Sequence, residues 1–455
     1  MYDQLHARAI IDALAAQVPL GHAPAEIFGS DDVYQHELRR IFARCWVFLA
    51  HESEIPRRND FVRRKVGEDD FIVVRDRHGT VRVLLDACRH RGVAVCRADK
   101  GNTPQFRCPY HGWTYDTSGR LTGAPAWREA LAGLPREEYG LLPAAQVGVC
   151  HGLIFATLDR TAPSLDEYLG GMSWYLDLVF GLNDAGVEVL APPQRLVISA
   201  NWKSGAENFA GDDYHLATLH RSVWEVGAYP VPFEDDMVGY HIQAAPGHSL
   251  SLSMDPDADE PGPYFYGMPD DLVASFSTAL VTGEQLRFAR YIRAFVGNVF
   301  PNFSVLAQPA TEDVRAHPAT GVITIRTWQP RGPGEMEVWC WFCAYRNMSA
   351  AQKRRSLTAG LGTSSFGGAF EMDDAEPWAS TSRTGRSVAA QLLGLTYNYQ
   401  MGSEGVGRAR RVPGFPGPGV VFAPRYEEGV QRNFLRFYAE LMRCPDGQWP
   451  VLPLG

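Results

Sequence analysis

The sequence predicts an α+β protein in two parts: a small all-β module and a larger domain in which helices wrap an antiparallel sheet. Three observations carry this. Short apolar runs broken by turn residues dominate from about 47 to 160. Beyond them, helical stretches near 165–182 and 200–224 precede strand-like runs such as Val322-Ile-Thr-Ile-Arg-Thr-Trp and 336–345, and late helices near 350–361 and 427–442 follow. A chain of 455 residues can also bury more than one core. The expected boundaries are 41–160 for the β module, and 1–40 together with 161–455 for the larger domain.

In chain order, 31–46 reads as a helix, because Asp31 and Asp32 open it and arginines follow, which suits the helix dipole. Phe71-Ile-Val-Val and Val81-Arg-Val-Leu-Leu read as strands leading into a loop, and Phe106-Arg107 leads into a second loop. Gly152-Leu-Ile-Phe-Ala-Thr-Leu closes the module. Residues 255–263 and 412–419 are Pro/Gly-rich and predict surface loops. Cys340-Trp-Phe-Cys343 lies inside a strand-like run, where residues three apart point to opposite faces, so a shared metal is not expected there.

Charge excludes some roles. With 43 Lys+Arg against 52 Asp+Glu, the net charge is −9, which argues against a broad nucleic-acid-binding surface. No run of eighteen apolar residues predicts a membrane span, and Met1-Tyr-Asp-Gln-Leu-His does not open a secretory leader. Eight cysteines in so long a chain predict reduced thiols and a cytoplasmic protein.

Two loops carry the first chemistry. Cys88-Arg-His90-Arg-Gly92 and Cys108-Pro-Tyr-His111-Gly112-Trp each pair one cysteine with one histidine. Two thiolates and two imidazoles can hold a two-iron, two-sulfide cluster, with cysteines on one iron and histidines on the other. Zinc is the competing reading, but zinc sites usually pair two cysteines at one knuckle and two histidines at the other. Cys96 is expected to be a small buried hydrophobe.

A second constellation lies in Glu207-Asn208-Phe-Ala-Gly-Asp212-Asp-Tyr-His215-Leu-Ala-Thr-Leu-His220. On a continuous helix, Asn208, Asp212 and His215 fall within about 60° of one another, while His220 lies about 140° from His215. For both histidines to bind one metal the helix must break between them. Phe370-Glu371-Met-Asp373-Asp374 offers a carboxylate, and two histidines with one carboxylate leave open positions on an iron(II) for dioxygen. Either aspartate serves on physical grounds alone.

Both sites resemble those of aromatic-ring-hydroxylating oxygenase large subunits. Arg91-Gly92 and Gly112-Trp113-Thr-Tyr-Asp match the flanks of that family's Rieske [2Fe-2S] domain, and Glu-Asn-Phe-x-Gly-Asp-x-Tyr-His-x4-His with Glu-x-Asp-Asp matches its mononuclear-iron domain. The resemblance implies that Cys88, His90, Cys108 and His111 hold the cluster and that His215, His220 and Asp374 hold Fe(II). It implies that Asp212 links the centres across a subunit boundary, bonding His111 of one copy and His215 of the next. Asn208 would line the iron site without firmly binding it. Phe209, Ala210, Leu216, Phe303 and Phe370 are expected to wall an apolar substrate pocket suited to a flat ring.

No Gly-x-Gly-x-x-Gly follows a strand, so NAD(P)H electrons are expected indirectly, through a ferredoxin or reductase. The resemblance implies cis-dihydroxylation of an aromatic, with O2 as co-substrate; the apolar site residues and the lack of a basic cluster aimed at the site slightly favour a hydrocarbon, polycyclic ones included, over an aromatic carboxylate. It implies homotrimers of large subunits, often with three small β subunits. The alternatives are a Rieske monooxygenase or demethylase, and an electron-transfer protein whose second domain only docks a partner.

Overall fold

The computed structural model describes residues 3–225, 227, 229–255, 265–311 and 318–454. All but the first residue of the loop expected at 255–263 lies outside them. Contacts divide the chain into two compact units, Phe42–Leu165 and the remainder, Met1–Ile41 with Asp166–Gly455.

The smaller unit consists mainly of short antiparallel strands. Val81–Leu85, Asp69–Arg75, Asp60–Val66 and Lys100–Asn102 form one sheet in that order. Gln105–Arg107, Thr114–Asp116 and Leu121–Gly123 form a second, and Gln146–Cys150, Leu153–Thr157 and Val47–His51 a third. Phe61, Ile72, Val74, Leu84, Phe106, Trp113 and Tyr115 build one core, which also takes in Cys88, Cys96 and Cys108. Asp86 Oδ1 accepts from the amides of Val95 (2.7 Å) and Cys96 (2.9 Å), fixing the segment that carries the buried Cys96.

The larger unit is organised by a ten-stranded antiparallel sheet. Its long strands, Phe303–Ala310, Thr320–Gly332 and Glu335–Tyr345, are buried almost throughout, although they carry polar side chains such as Ser304, Thr324 and Arg326. Cys340 and Cys343 sit in the last of these, both buried. Helix Ala350–Thr363, capped by Ser349, covers a patch formed by Ala310, Val322, Cys340 and Phe342. Helix Gly429–Arg443 buries Val430, Phe434, Leu435, Phe437, Tyr438 and Leu441.

Three helices meet at a buried ion pair. The Lys203 ammonium contacts Glu37 Oε1 at short range, and Glu37 also accepts from Trp202 Nε1 (2.8 Å) and Tyr438 Oη (2.6 Å). The Phe28, Trp202 and Tyr438 rings surround the ammonium. Burial lowers the Lys203 pKa and Glu37 opposes it. The pair ties Asp31–Glu37, Trp202–Asn208 and Gly429–Arg443 together, which fixes the helix that leads into the second constellation.

The structure corrects several expected helices. The segment 31–46 is α-helical through Glu37, continues as a π-helical stretch at Leu38–Phe42 and ends there. The 165–182 stretch is split into Leu165–Leu169 and Met172–Phe180 by Gly170, at φ +49°, and Gly171. The 200–224 helix stops at Asn208. The two longest helices that went unanticipated are Gln4–Gln17, capped by the Asp3 side chain, and Glu371–Gly385, whose internal Pro377 argued against it.

Candidate metal centres and substrate cavity

The two Cys/His loops of the smaller unit are near-copies. Cys88 N donates to Val93 O (2.9 Å) and Gly92 N to Cys88 O (2.8 Å); Cys108 N donates to Trp113 O (2.8 Å) and Gly112 N to Cys108 O (3.0 Å). Both glycines stand at φ +73°, a left-handed turn that side chains resist. Each turn buries its cysteine and leaves its histidine nearer the surface: Cys88 and Cys108 are 3% exposed, His90 is exposed and His111 is half-buried. The His90 and His111 ring centroids lie 4.6 Å apart, and Trp113 stacks flat on His90 at 5.1 Å.

The donor set fits a two-iron, two-sulfide cluster. His111 Nδ1 is buried without a hydrogen-bond partner, as a ligand atom would be. Tyr115 Oη lies 3.2 Å from Cys88 Sγ and accepts from Arg89 N at 3.0 Å, so its own proton points at the sulfur. Burial raises the Cys88 thiol above its ordinary pKa, and the neighbouring Cys108 adds to this.

In the larger unit, the chain after Asn208 leaves the helix. Gly211 takes φ +132°, Tyr214–Ala217 forms a single 3-10 turn, and a new short helix starts at Arg221. The expectation that Asn208, Asp212 and His215 share one helical face is therefore overturned. The expected break between His215 and His220 is present. It brings the two rings to a centroid distance of 4.9 Å.

Asp374 enters from the first turn of helix Glu371–Gly385. Its Oδ1 lies 3.6 Å from His215 Nε2 and 3.3 Å from His220 Nε2. Asp373 instead lies behind, 3.5 Å from His220 Nδ1. His215, His220 and Asp374 offer ligand atoms all within 4.8 Å of one another, the one such group among the described residues. Asp374 Oδ1 and both Nδ1 atoms are buried without hydrogen-bond partners. Two imidazoles and one carboxylate converging on a common point fit an iron(II) with open coordination positions. Burial opposes a proton on His215, but Asp212, Asp374 and Asp213 together lift its pKa to about 9.

Two anchors hold this arrangement. Glu371, beside the ligand turn, contacts the fully buried Arg326 at short range, and Arg326 also bonds Thr324 Oγ1 (2.6 Å) and Ser364 O (3.1 Å). Asp213 accepts from His241 Nε2 (2.6 Å), Arg425 Nε (2.8 Å) and Ser251 Oγ (2.5 Å). With Asp213 pinned inward, its neighbour Asp212 lies at the cavity with Oδ2 3.4 Å from His215 Nδ1. Sequence reasoning missed this network. Its members are scattered from 213 to 425, and only the adjacent acids Asp212 and Asp213 hinted at it. Glu207, which opens the ligand segment, was given no role from the sequence: Tyr399 Oη donates to it (2.9 Å), and burial pushes its carboxyl up to about 8.

A cavity opens beside the trio. Asn208, Asp212, Phe209, Leu216 and Phe370 line it. Ala210 and Phe303, expected on its wall, are buried elsewhere. The reason at Phe303 is strand parity. Leu306 and Gln308 of Phe303–Ala310 face the cavity, so the odd-numbered residues face the other way. A larger hollow of about 910 Å³ near Met268 and Arg355 contains none of the trio.

Comparison with known proteins agrees with both centres. Residues 45–138 match the Rieske [2Fe-2S] domain family, and residues 165–443 match the ring hydroxylating alpha subunit (catalytic domain) family. The chain is 38% identical, over 97% of its length and 96% of the relative's, to an N,N-dimethyl phenylurea N-demethylase subunit alpha of Sphingobium sp. (strain YBL2). It is 34% identical, over 95% and 91%, to a biphenyl 2,3-dioxygenase subunit alpha of Rhodococcus jostii (strain RHA1). Among solved structures, naphthalene 1,2-dioxygenase from Rhodococcus sp. bound to indole superposes with a TM-score of 0.90 at 41% identity, covering 96% of this chain and 98% of that one.

Proposed function

The chain belongs to the ring-hydroxylating oxygenase alpha subunits, with a Rieske [2Fe-2S] domain and a mononuclear-iron catalytic domain, and from that premise we propose that it catalyses O2-dependent cis-dihydroxylation of an aromatic compound. The observation that carries this is the convergence of three ligand groups, His215, His220 and Asp374, whose ligand atoms lie within 4.8 Å of one another beside a largely apolar cavity. When bound, the iron supplies open positions for dioxygen and the cluster supplies electrons one at a time.

The side chains divide the remaining work. Cys88, Cys108, His90 and His111 hold the cluster, and Tyr115 donates a proton toward Cys88 sulfur. His215, His220 and Asp374 hold the iron. Phe209, Leu216 and Phe370 exclude water and take the face of the ring. Asn208 lines the site. Asp212 orients His215 through Nδ1, and its second oxygen is available to His111 of a neighbouring copy. Such a head-to-tail link closes as a ring, here a trimer with three small β subunits. Reducing equivalents from NAD(P)H reach the cluster through a ferredoxin or reductase. All eight cysteines are free, which suits the reducing cytoplasm.

The test is turnover under isotopically labelled dioxygen. Two labelled atoms on adjacent ring carbons support the proposal. One labelled atom in the product, or loss of an N-methyl group, supports monooxygenation instead. The phenylurea N-demethylase relative favours that second reading.

A further inference from the structure

More carboxylates stand at the iron site than an iron with open positions uses. Asp374 faces the Nε2 atoms of both histidines. Asp212 and Asp373 lie behind the rings instead, 3.4 Å from His215 Nδ1 and 3.5 Å from His220 Nδ1. Asp213 is occupied by His241, Arg425 and Ser251. Glu371 is the remaining acid. It stands three residues before Asp374 in the same first helical turn, and residues three apart share a helix face. Both side chains line the cavity and both are buried, and Asp374 and His220 each act on the charge of Glu371. A buried carboxylate pairs with a cation or binds a metal, so one beside a ferrous ion joins it unless something else holds it.

Arg326 is what holds it. This residue lies on strand Thr320–Gly332, fully buried, and its guanidinium contacts Glu371 Oε1 at short range. Its other hydrogen bonds, to Thr324 Oγ1 (2.6 Å) and Ser364 O (3.1 Å), fix the guanidinium independently of any metal. The Phe209 ring packs against its Cζ at 4.8 Å. An arginine does not give up its proton in a protein, so the grip on Glu371 does not lapse with pH.

We propose that Arg326 is a positioning residue that withholds Glu371 from the mononuclear iron, so that the metal keeps two histidines, one carboxylate and its open positions. The proposal rests on the oxygenase reading above and adds what limits the ligand count of its iron. Two histidines and one carboxylate leave room for dioxygen, and a second carboxylate takes a position that dioxygen needs. Released from Arg326, Glu371 becomes a competitor for the metal: iron is held as firmly as before, and small molecules reach it less readily.

The test uses the assembled, metal-replete oxygenase with its cluster oxidised, and nitric oxide as the probe of an open iron position. Electron paramagnetic resonance of the ferrous nitrosyl, titrated with the gas, gives the affinity. In Arg326→Met the freed carboxylate closes the position in most molecules, and nitric oxide binds about 10-fold or more weakly. Iron release to a chelator is no faster than in the wild type. Adding Glu371→Gln to Arg326→Met restores the nitric oxide affinity, because a neutral amide competes poorly for iron. Should Arg326→Met not fold, Arg326→Gln removes the charge, keeps hydrogen-bond donors for Thr324 and Ser364, and shows the same shift. A pair that merely braces the helix gives a different pattern, in which losing Arg326 loosens the turn that carries Asp374 and iron leaves faster; that result overturns the proposal. Unchanged nitric oxide affinity on loss of Arg326 also overturns it and leaves the oxygenase reading in place. If the shift and its rescue are found but the wild type oxygenates no aromatic compound, the role of Arg326 stands and the oxygenase reading fails.

Discussion

Asp373 and Asp374 carry the same side chain one residue apart, and the structure gives them different work. Asp374 faces the Nε2 atoms of both histidines, while Asp373 lies on the Nδ1 side of His220. Asp374→Ala is expected to remove one iron per chain while the cluster's visible absorption stays intact; Asp373→Ala retains all three irons. Iron quantitation with absorption spectroscopy reads both. Tyr115→Phe deletes a hydrogen bond to a cluster sulfur. At about 1 kcal/mol for such a bond, the one-electron potential falls by about 40 mV, measured by redox titration. Residue identity was legible in the sequence wherever chemistry dictated it, as at the Cys/His loops. It was not legible where direction decided, because nothing in the words Asp-Asp or Phe303 states which way a side chain turns.

At the scale of elements, the ligand segment works because its helix fails. Trp202–Asn208 ends at its cap Phe209, Gly211 leaves helical geometry, and the chain then curls to set His215 beside His220. A helical wheel drawn through 208–215 could not foresee this, whereas the spacing of the two histidines demanded a break of some kind. The helix is secured at its other end by the Lys203–Glu37 pair. Removing one partner strands the other charge in the interior, so Lys203→Met is expected to cost about 3–5 kcal/mol in chemical denaturation. A double replacement, Lys203→Met with Glu37→Gln, costs less than Lys203→Met alone, because no buried charge is left unpaired. Of the ten-stranded sheet, two long strands were legible, around 322–328 and 336–345, as runs of β-branched and aromatic residues. Its strand order was not, since register is set by long-range pairing.

For the whole molecule, two buried histidines set opposite limits on the working pH. His241 donates to Asp213 and Glu427 and is held charged, with its pKa lifted to about 9 although burial opposes it. Its folded value lies above its unfolded one, near 6.5, so its stabilisation is complete below about pH 6.5 and is lost as pH rises through 9. His248 is held neutral: burial pushes its pKa down to about 4, against the carbonyl of Tyr168. Stability from this group is present above about pH 6.5 and is lost as pH falls through 4. Each limb is on the order of 3 kcal/mol. Thermal melts across pH 4–9 should peak near neutrality, and His248→Gln should flatten the acid limb while leaving the alkaline one.

The twin turns of the smaller unit have one more effect. By keeping sulfur inside and imidazole at the rim, they make the two faces of the cluster unequal toward solvent. A cluster held there presents imidazole to an approaching molecule and keeps its thiolates out of reach.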